Sequence, residues 1–479
     1  MSTDLQRLHS VFDLAMRVGV GMLTNGAAAS EVTATVLRIT ASSGLRNVSV
    51  QVTFDEVAIS YLSDAEATPF TRIRSASSRV QDFTRLEDLE RITREYVRGD
   101  VGLDEAIALA ETAMTQRGTY PLWLITVGLA VMGGGAAFSL GAGTLVTLAA
   151  TFAAAVMTLA IEVLTRERVP AFYIQAVGGF VAVMVAILVS LVAPEQNSSI
   201  VVVACIIIQL AGLASIGAMQ DAVTGWYVTA TARILETLML TVGLVIGVRA
   251  GLLVADLIGA DIAVTYQMPI TLASVAVIII AGAVMGIGYA ISVQVPARLL
   301  LWFSLVAAVS GVVSYVVGQL VGDRVWGVGT ASLLAGMMSV LIATRLRAPA
   351  LTFIMAGVIP LVPGSRIYRG LLGITDDFTS GAAELFGAIE IAVAIAAGGI
   401  LGQIVMTRLM RALDIATAGF APVITSPFHT LRRRRRVAMP RRRRRRSAAI
   451  SMGAERSSPT ATGSIPRVAR EDGHPEEVP

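Results

Sequence analysis

Lysine is absent from this chain of 479 residues, so every one of its 38 basic side chains is arginine, a bias of composition more than of mechanism. A single cysteine, Cys205, lies within an apolar run, which excludes a disulfide framework and a cysteine metal cluster. Three histidines, His9, His429 and His474, are scattered through the head and tail and give no basis for a histidine metal site or a His-based triad. No glycine loop ending in Lys-Ser/Thr is present to cradle a phosphate, which argues against ATP-driven chemistry by this chain. No cofactor, metal or enzymatic activity is therefore expected. Charge is scarce as well, at 15% of residues.

What is abundant is apolar surface. Hydrophobic residues make up 54% of the chain and the mean hydropathy is +0.71. Runs long enough to cross a bilayer recur between residues 120 and 410, which makes the fold class a polytopic α-helical membrane protein. The runs fall near 121–139, 141–164, 171–193, 199–218, 227–249, 268–292, 297–320, 326–345, 350–370 and 383–409, about ten transmembrane helices. Residues 1 to 20 carry Asp4, Arg7, Asp13 and Arg17 with no uninterrupted apolar core, so they do not read as a signal peptide. With the head in the cytoplasm, Arg166, Arg168, Arg233, Arg298, Arg345, Arg347, Arg408 and Arg411 fall inside, as do both arginine runs, 432–436 and 441–446, while Arg249, Arg324, Arg366 and Arg369 fall outside. That agrees with the positive-inside rule and places both termini in the cytoplasm. The formal charge of +4 is set by the runs; without their 11 arginines the rest holds 27 basic against 34 acidic residues, or −7.

The expected layout is a water-facing α+β domain at 1–119, membrane segments at 120–250 and 268–412 joined by an extracytoplasmic connection at 251–267, and a disordered arginine-rich tail at 413–479. In the head, Leu5, Leu8, Phe12, Ala15 and Val18 recur at helical spacing, and the pattern stops at Asn25-Gly26. A second helix over 28–43 ends at Gly44. Strands are expected at 48–54, 57–61 and 70–74, then helices at 86–97 and 103–116. The arginine runs beside the last span suit anionic lipid head groups, a reading preferred here to a nucleic-acid or localisation motif.

One stretch stands apart from the apolar background. Ala356 to Gly370 carries Pro360, Pro363, Gly364, Ser365, Arg366 and Arg369. Proline removes a backbone donor and clashes with the preceding turn, and freed backbone groups in hydrocarbon survive only against protein or a water-filled cavity. A discontinuous helix at a transport site has this form; a loop that merely starts early is the plainer reading. Ala211 to Gly225, which contains Gln220 and Asp221, aligns with it without a gap through Ala211/Ala356, Gly212/Gly357 and Gly225/Gly370. Each stretch precedes a helix with one intramembrane acid, Glu236 or Glu390. Two similar blocks of five spans must enter the membrane from opposite sides, giving two inverted five-helix repeats, a basis of secondary transporters. A channel or receptor stays open on these grounds. Acids at mid-span cost roughly 2.5–3.5 kcal/mol on insertion scales and usually have a role, so Glu236 and Glu390 are proton-carrying candidates. Their pairing with an arginine such as Arg233 is the alternative. Glu162 beside Arg166 reads as a plain ion pair, and the stripes Gly243/Gly247/Gly251, Gly282/Gly286 and Gly398/Gly402 as close helix packing.

These residues resemble the bacterial threonine/serine exporter family. The resemblance is carried by Asn25-Gly-Ala-Ala-Ala-Ser-Glu-Val32 and by Thr71-Arg-Ile-Arg74 leading to Asp82-Phe-Thr-Arg-Leu86 in the head. In the membrane it is carried by Met219-Gln-Asp-Ala-Val-Thr-Gly-Trp-Tyr227 with Ala232-Arg-Ile-Leu-Glu236, and by Pro360-Leu-Val-Pro-Gly364 with Tyr368-Arg-Gly370. It covers roughly residues 10 to 412. Where a family member has proline and glycine in its first break, this chain has Gly217-Ala-Met219. The resemblance implies export of threonine and serine driven by the proton motive force, from a bacterial inner membrane. Transport of another small organic solute, and a sensing or hydrolytic head on a membrane anchor, remain alternatives; an oligomer is possible.

Overall fold

The computed structural model describes residues 2–63, 68–76, 81–211, 215–260 and 272–413. The tail with both arginine runs, expected to be disordered, lies outside the described residues.

The head begins with α1 (Ser2–Thr24) and α2 (Ala29–Ser42). Gly26 and Gly44, at φ +93° and +89°, supply the left-handed residues that end them, a conformation glycine adopts at no steric cost. Strands β1 (Val48–Thr53), β2 (Glu56–Tyr61) and β3 (Phe70–Ser75) form an antiparallel meander with Val52 opposite Val57 and Ile59 opposite Arg72. Alternation buries Val48, Val52, Val57 and Ile59 on one face, against α1 and α2. Helices α3 (Phe83–Arg98) and α4 (Leu103–Thr115) follow; the Asp82 carboxylate caps α3 by accepting the Arg85 N–H at 3.0 Å.

The apolar part comprises α5 (Leu122–Ser139), α6 (Thr144–Arg166), α7 (Ala171–Val192), α8 (Ser199–Ala211), α9 (Ser215–Thr224) and α10 (Tyr227–Ile258). It continues with α11 (Leu272–Ser292), α12 (Leu300–Val321), α13 (Arg324–Leu346), α14 (Ala350–Val358), α15 (Gly364–Asp376) and α16 (Phe378–Ala412). Among the described residues, eight of these are long and apolar enough to cross a membrane, and α14 with α15, bent by 46°, counts as a ninth. This is a multi-pass helical membrane protein. The tenth expected span, 199–218, is the 13-residue α8 followed by α9, and residues 212–214 between them lie outside the described residues.

Glycine sets the helix directions. Gly243 and Gly247 of α10 lie against the backbone of Phe172 and Ala176 on α7, and a Cβ at Gly251 would sit 2.6 Å from Val183. Residue numbers rise together, so α7 and α10 run parallel. Gly398 and Gly402 of α16 meet Gly329 and Leu333 of α13 in the same way, again parallel. By contrast α5 and α11 cross antiparallel through Gly128, Gly135, Met285 and Gly288. The Gly251 contact also explains a difference at the far end of α10. The sequence expected a connection from residue 251, but packing on α7 carries the helix on to Ile258, where Gly259 at φ +69° ends it.

The head is fastened to one end of this bundle. The backbone N–H groups of Phe83 and Thr84 donate to the carbonyls of Val293 and Gln294 at 3.0 and 3.2 Å, and Gln294 Oε1 accepts the Tyr120 N–H at 2.7 Å. Arg298 reaches Glu87 and also the Leu346 carbonyl. Thr229 Oγ1 donates to the Val52 carbonyl at 3.0 Å. The turns 140–143, 193–198 and 322–323 lie at the opposite end.

Candidate functional site

Pro360 and Pro363 lack the N–H groups that a continuing helix needs. Helix α14 accordingly stops at Val358, tightens into a 3-10 turn over Ile359–Leu361, and α15 restarts at Gly364. Glycine is required there: a Cβ would stand 2.6 Å from Ile207 Cγ1 and 3.4 Å from the Val203 carbonyl, so the break rests directly on α8.

Beside the break is a cavity of about 690 Å³. Pro360, Val362, Ser365 and Arg369 form one wall; Ile200, Val203 and Ile207 of α8 and Ile278, Gly282 and Met285 of α11 form the apolar ones. Ser314, Tyr315 and Gln319 from the end of α12, with Asn197 and Arg324, supply polar groups at the end away from the head. Among the described residues the lining holds two arginines and no carboxylate. Arg324 Nη1 donates to Ser365 Oγ at 3.2 Å. Arg369 donates to both oxygens of Glu384 on α16, from Nε at 2.9 Å and Nη2 at 3.4 Å. Arg366 stands 3.9 Å from the same carboxylate, its guanidinium lying in the notch at Gly387, and does not line the cavity.

The other candidates lie elsewhere. Gln220 and Asp221, on α9, are buried at the head-side end of the bundle. Asp221 accepts from Arg233 Nη1 at 2.8 Å and from the Ala29 N–H at 2.9 Å, while Arg233 Nη2 donates to the Ala27 carbonyl at 3.3 Å. The pair thereby welds the Asn25–Glu31 turn of the head to the α9–α10 junction. The sequence offered Glu236 as Arg233's partner; the structure gives that place to Asp221 and leaves Glu236 half-buried one turn further on. Glu390, expected to be buried, is exposed on the outer face of α16 between Phe386 and Val393, which are 67% and 45% exposed. None of Glu236, Glu390, Gln220 and Asp221 lines the cavity. Glu162 pairs with Arg166 at 2.9 Å as expected.

Sequence reasoning missed Arg324, Tyr315, Gln319, Asn197 and Glu384. Only Arg324 left a signal, as the residue after Gly322-Asp323, where Asp323 caps α13 by accepting the Val325 N–H at 2.8 Å. In the head, burial and the nearby Glu90 push the half-buried Glu31 carboxyl up to about 8, with Arg38 opposing and Asp221 adding to the shift.

Two family models match the chain. One, described as "Putative threonine/serine exporter", matches residues 13–255, and a second, "Threonine/Serine exporter, ThrE", matches residues 278–405. The chain belongs to the threonine/serine exporter family. A "Probable threonine/serine exporter" of Mycobacterium tuberculosis (strain ATCC 25618 / H37Rv) is 29% identical over 418 residues, which cover 85% of this chain and 79% of that protein. A "Threonine/serine exporter" of Corynebacterium glutamicum is 28% identical over 416 residues, covering 85% of each. No solved structure matches the chain. The two family matches divide between α10 and α11, and the cavity of this exporter-family chain draws its walls from both.

Proposed function

We propose that the chain is a secondary transporter that exports threonine and serine across a bacterial cytoplasmic membrane, driven by the proton motive force. The observation that carries this reading is the cavity of about 690 Å³ at the α14–α15 break, lined by arginine, hydroxyl and amide groups on one side and by apolar residues on the other. Its volume lies in the range of small-molecule sites, roughly 300–1,000 Å³. Family membership and the names of the two relatives supply the substrate class.

The architecture that serves this function is a pair of inverted five-segment repeats, α5–α10 and α11–α16, counting α8–α9 and α14–α15 as one segment each. Two features support it. The third and fifth segments pack parallel in both halves, as α7 with α10 and α13 with α16. The family matches divide at the same boundary. The head faces the cytoplasm, as the arginine placement favours, so the cavity opens towards the outside. Protons are carried by membrane-embedded carboxylates; Glu236 and Glu390 are the sequence candidates, and Glu384, ion-paired to Arg369 beside the cavity, joins them.

Uptake of labelled threonine and serine into inverted vesicles, with and without an imposed pH gradient, tests the reading. Collapsing the gradient is expected to abolish accumulation, and at least one of Glu236→Gln, Glu384→Gln and Glu390→Gln to uncouple it. Accumulation that ignores the gradient, or survives all three substitutions, would refute the coupling. Accumulation of a different solute alone would move the assignment to that solute.

A further inference from the structure

We propose that Arg324 is the anchor for the substrate's carboxylate; the inference rests on the transport reading above and assigns that site its chemistry. Three arginines surround the break, and two are already engaged. Arg369 holds Glu384 through two nitrogens, and Arg366 faces the same carboxylate. Arg324 differs. Its partner is the neutral hydroxyl of Ser365, and among the described residues no carboxylate lies within ion-pair distance of it. A guanidinium presents five N–H donors in a rigid fork, so one hydroxyl leaves most of that fork open to the cavity it lines.

The surroundings favour an anion. Among the described residues the cavity lining carries Arg324 and Arg369, the latter paired with Glu384 outside it, and no acid. Arg324 is the first residue of α13 and Ser365 the second of α15, so their 3.2 Å contact brings two helix starts together. Helix N-termini carry partial positive charge, which adds to the attraction for a carboxylate placed between them. The remaining groups orient the solute. Gln319 of α12 offers an oxygen acceptor to an ammonium group or a side-chain hydroxyl, while Ile207 receives a methyl group. A small hydroxylated amino acid bound in this way has its carboxylate at the mouth away from the head.

The test is calorimetric binding to the purified full-length protein, using L-threonine, L-threoninamide and acetate as probes. The wild type is expected to bind L-threonine at least about 10-fold more tightly than the amide, since a charge-assisted bidentate pair is lost with the carboxylate. In Arg324→Gln that preference should disappear, with threonine falling to the level of the amide. Arg324→Lys keeps the charge without the fork, serves as the second variant should the glutamine one fail to fold, and should retain part of the preference. A damaged fold would weaken both ligands alike, so the ratio separates anchoring from structure. Threonine binding with an unchanged ratio in either variant overturns the anchor while leaving the transport reading standing. Arg324-dependent binding of acetate without threonine keeps the carboxylate site and overturns the threonine reading. No Arg324-dependent binding of any probe overturns the proposal.

Discussion

Asp221 and Arg233 are the residues on which the junction of head and membrane bundle turns. Both are almost wholly buried, and each reaches a backbone group of the Ala27–Ala29 turn as well as the other. A buried pair of this kind is a weak source of net stability, yet removing one partner strands the other charge. Asp221→Ala is expected to cost roughly 3–5 kcal/mol. Replacing both residues with apolar ones of similar volume should recover most of that loss. Thermal unfolding of the two variants in detergent measures the difference, and equal losses for single and double variants would contradict the arrangement. The pair could not be read from sequence because the partners are 12 residues apart, across the α9–α10 turn, and local spacing favoured Glu236. Glu390 was misplaced for a related reason. A membrane helix such as α16 has no polar face to reveal which side looks outward, so a lone acid in an apolar run reads the same exposed or buried.

At the scale of elements, the break between α14 and α15 was legible because proline and glycine act through the backbone alone. Its bounds follow from Pro360, Pro363 and Gly364. The head was legible for the same kind of reason: glycines 26 and 44 end helices, and valines alternating with polar residues at 48–52 make a strand with one buried face. What rests on the break was not legible, since Gly364 meets Ile207 from a segment more than 150 residues earlier. Gly364→Val places a side chain in that contact and should cost about 1–3 kcal/mol, as overpacking does. Adding Ile207→Ala should relieve the clash and restore much of the stability, which unfolding of the single and double variants would record. Additive losses would place the two residues apart.

At the scale of the whole molecule, the head is clamped to one end of the bundle and the polar groups of the cavity lie towards the other. The family's two matched regions each supply part of that cavity, which is why neither half alone reads as a site. Arg324 belongs to this scale. In sequence it is one arginine after a turn, and only packing against α15 gives it Ser365 and the cavity.

The chain's single cysteine, Cys205, is buried, so a Cys205→Ala background gives a clean host for an accessibility measurement. In that background Ser365→Cys, in the cavity wall, is treated in intact cells with a membrane-impermeant thiol reagent, with and without external L-threonine. Labelling from the outside that threonine suppresses is the expected result. Labelling that threonine leaves unchanged, or none from the outside, would contradict the claim that substrate passes through the cavity beside the α14–α15 break.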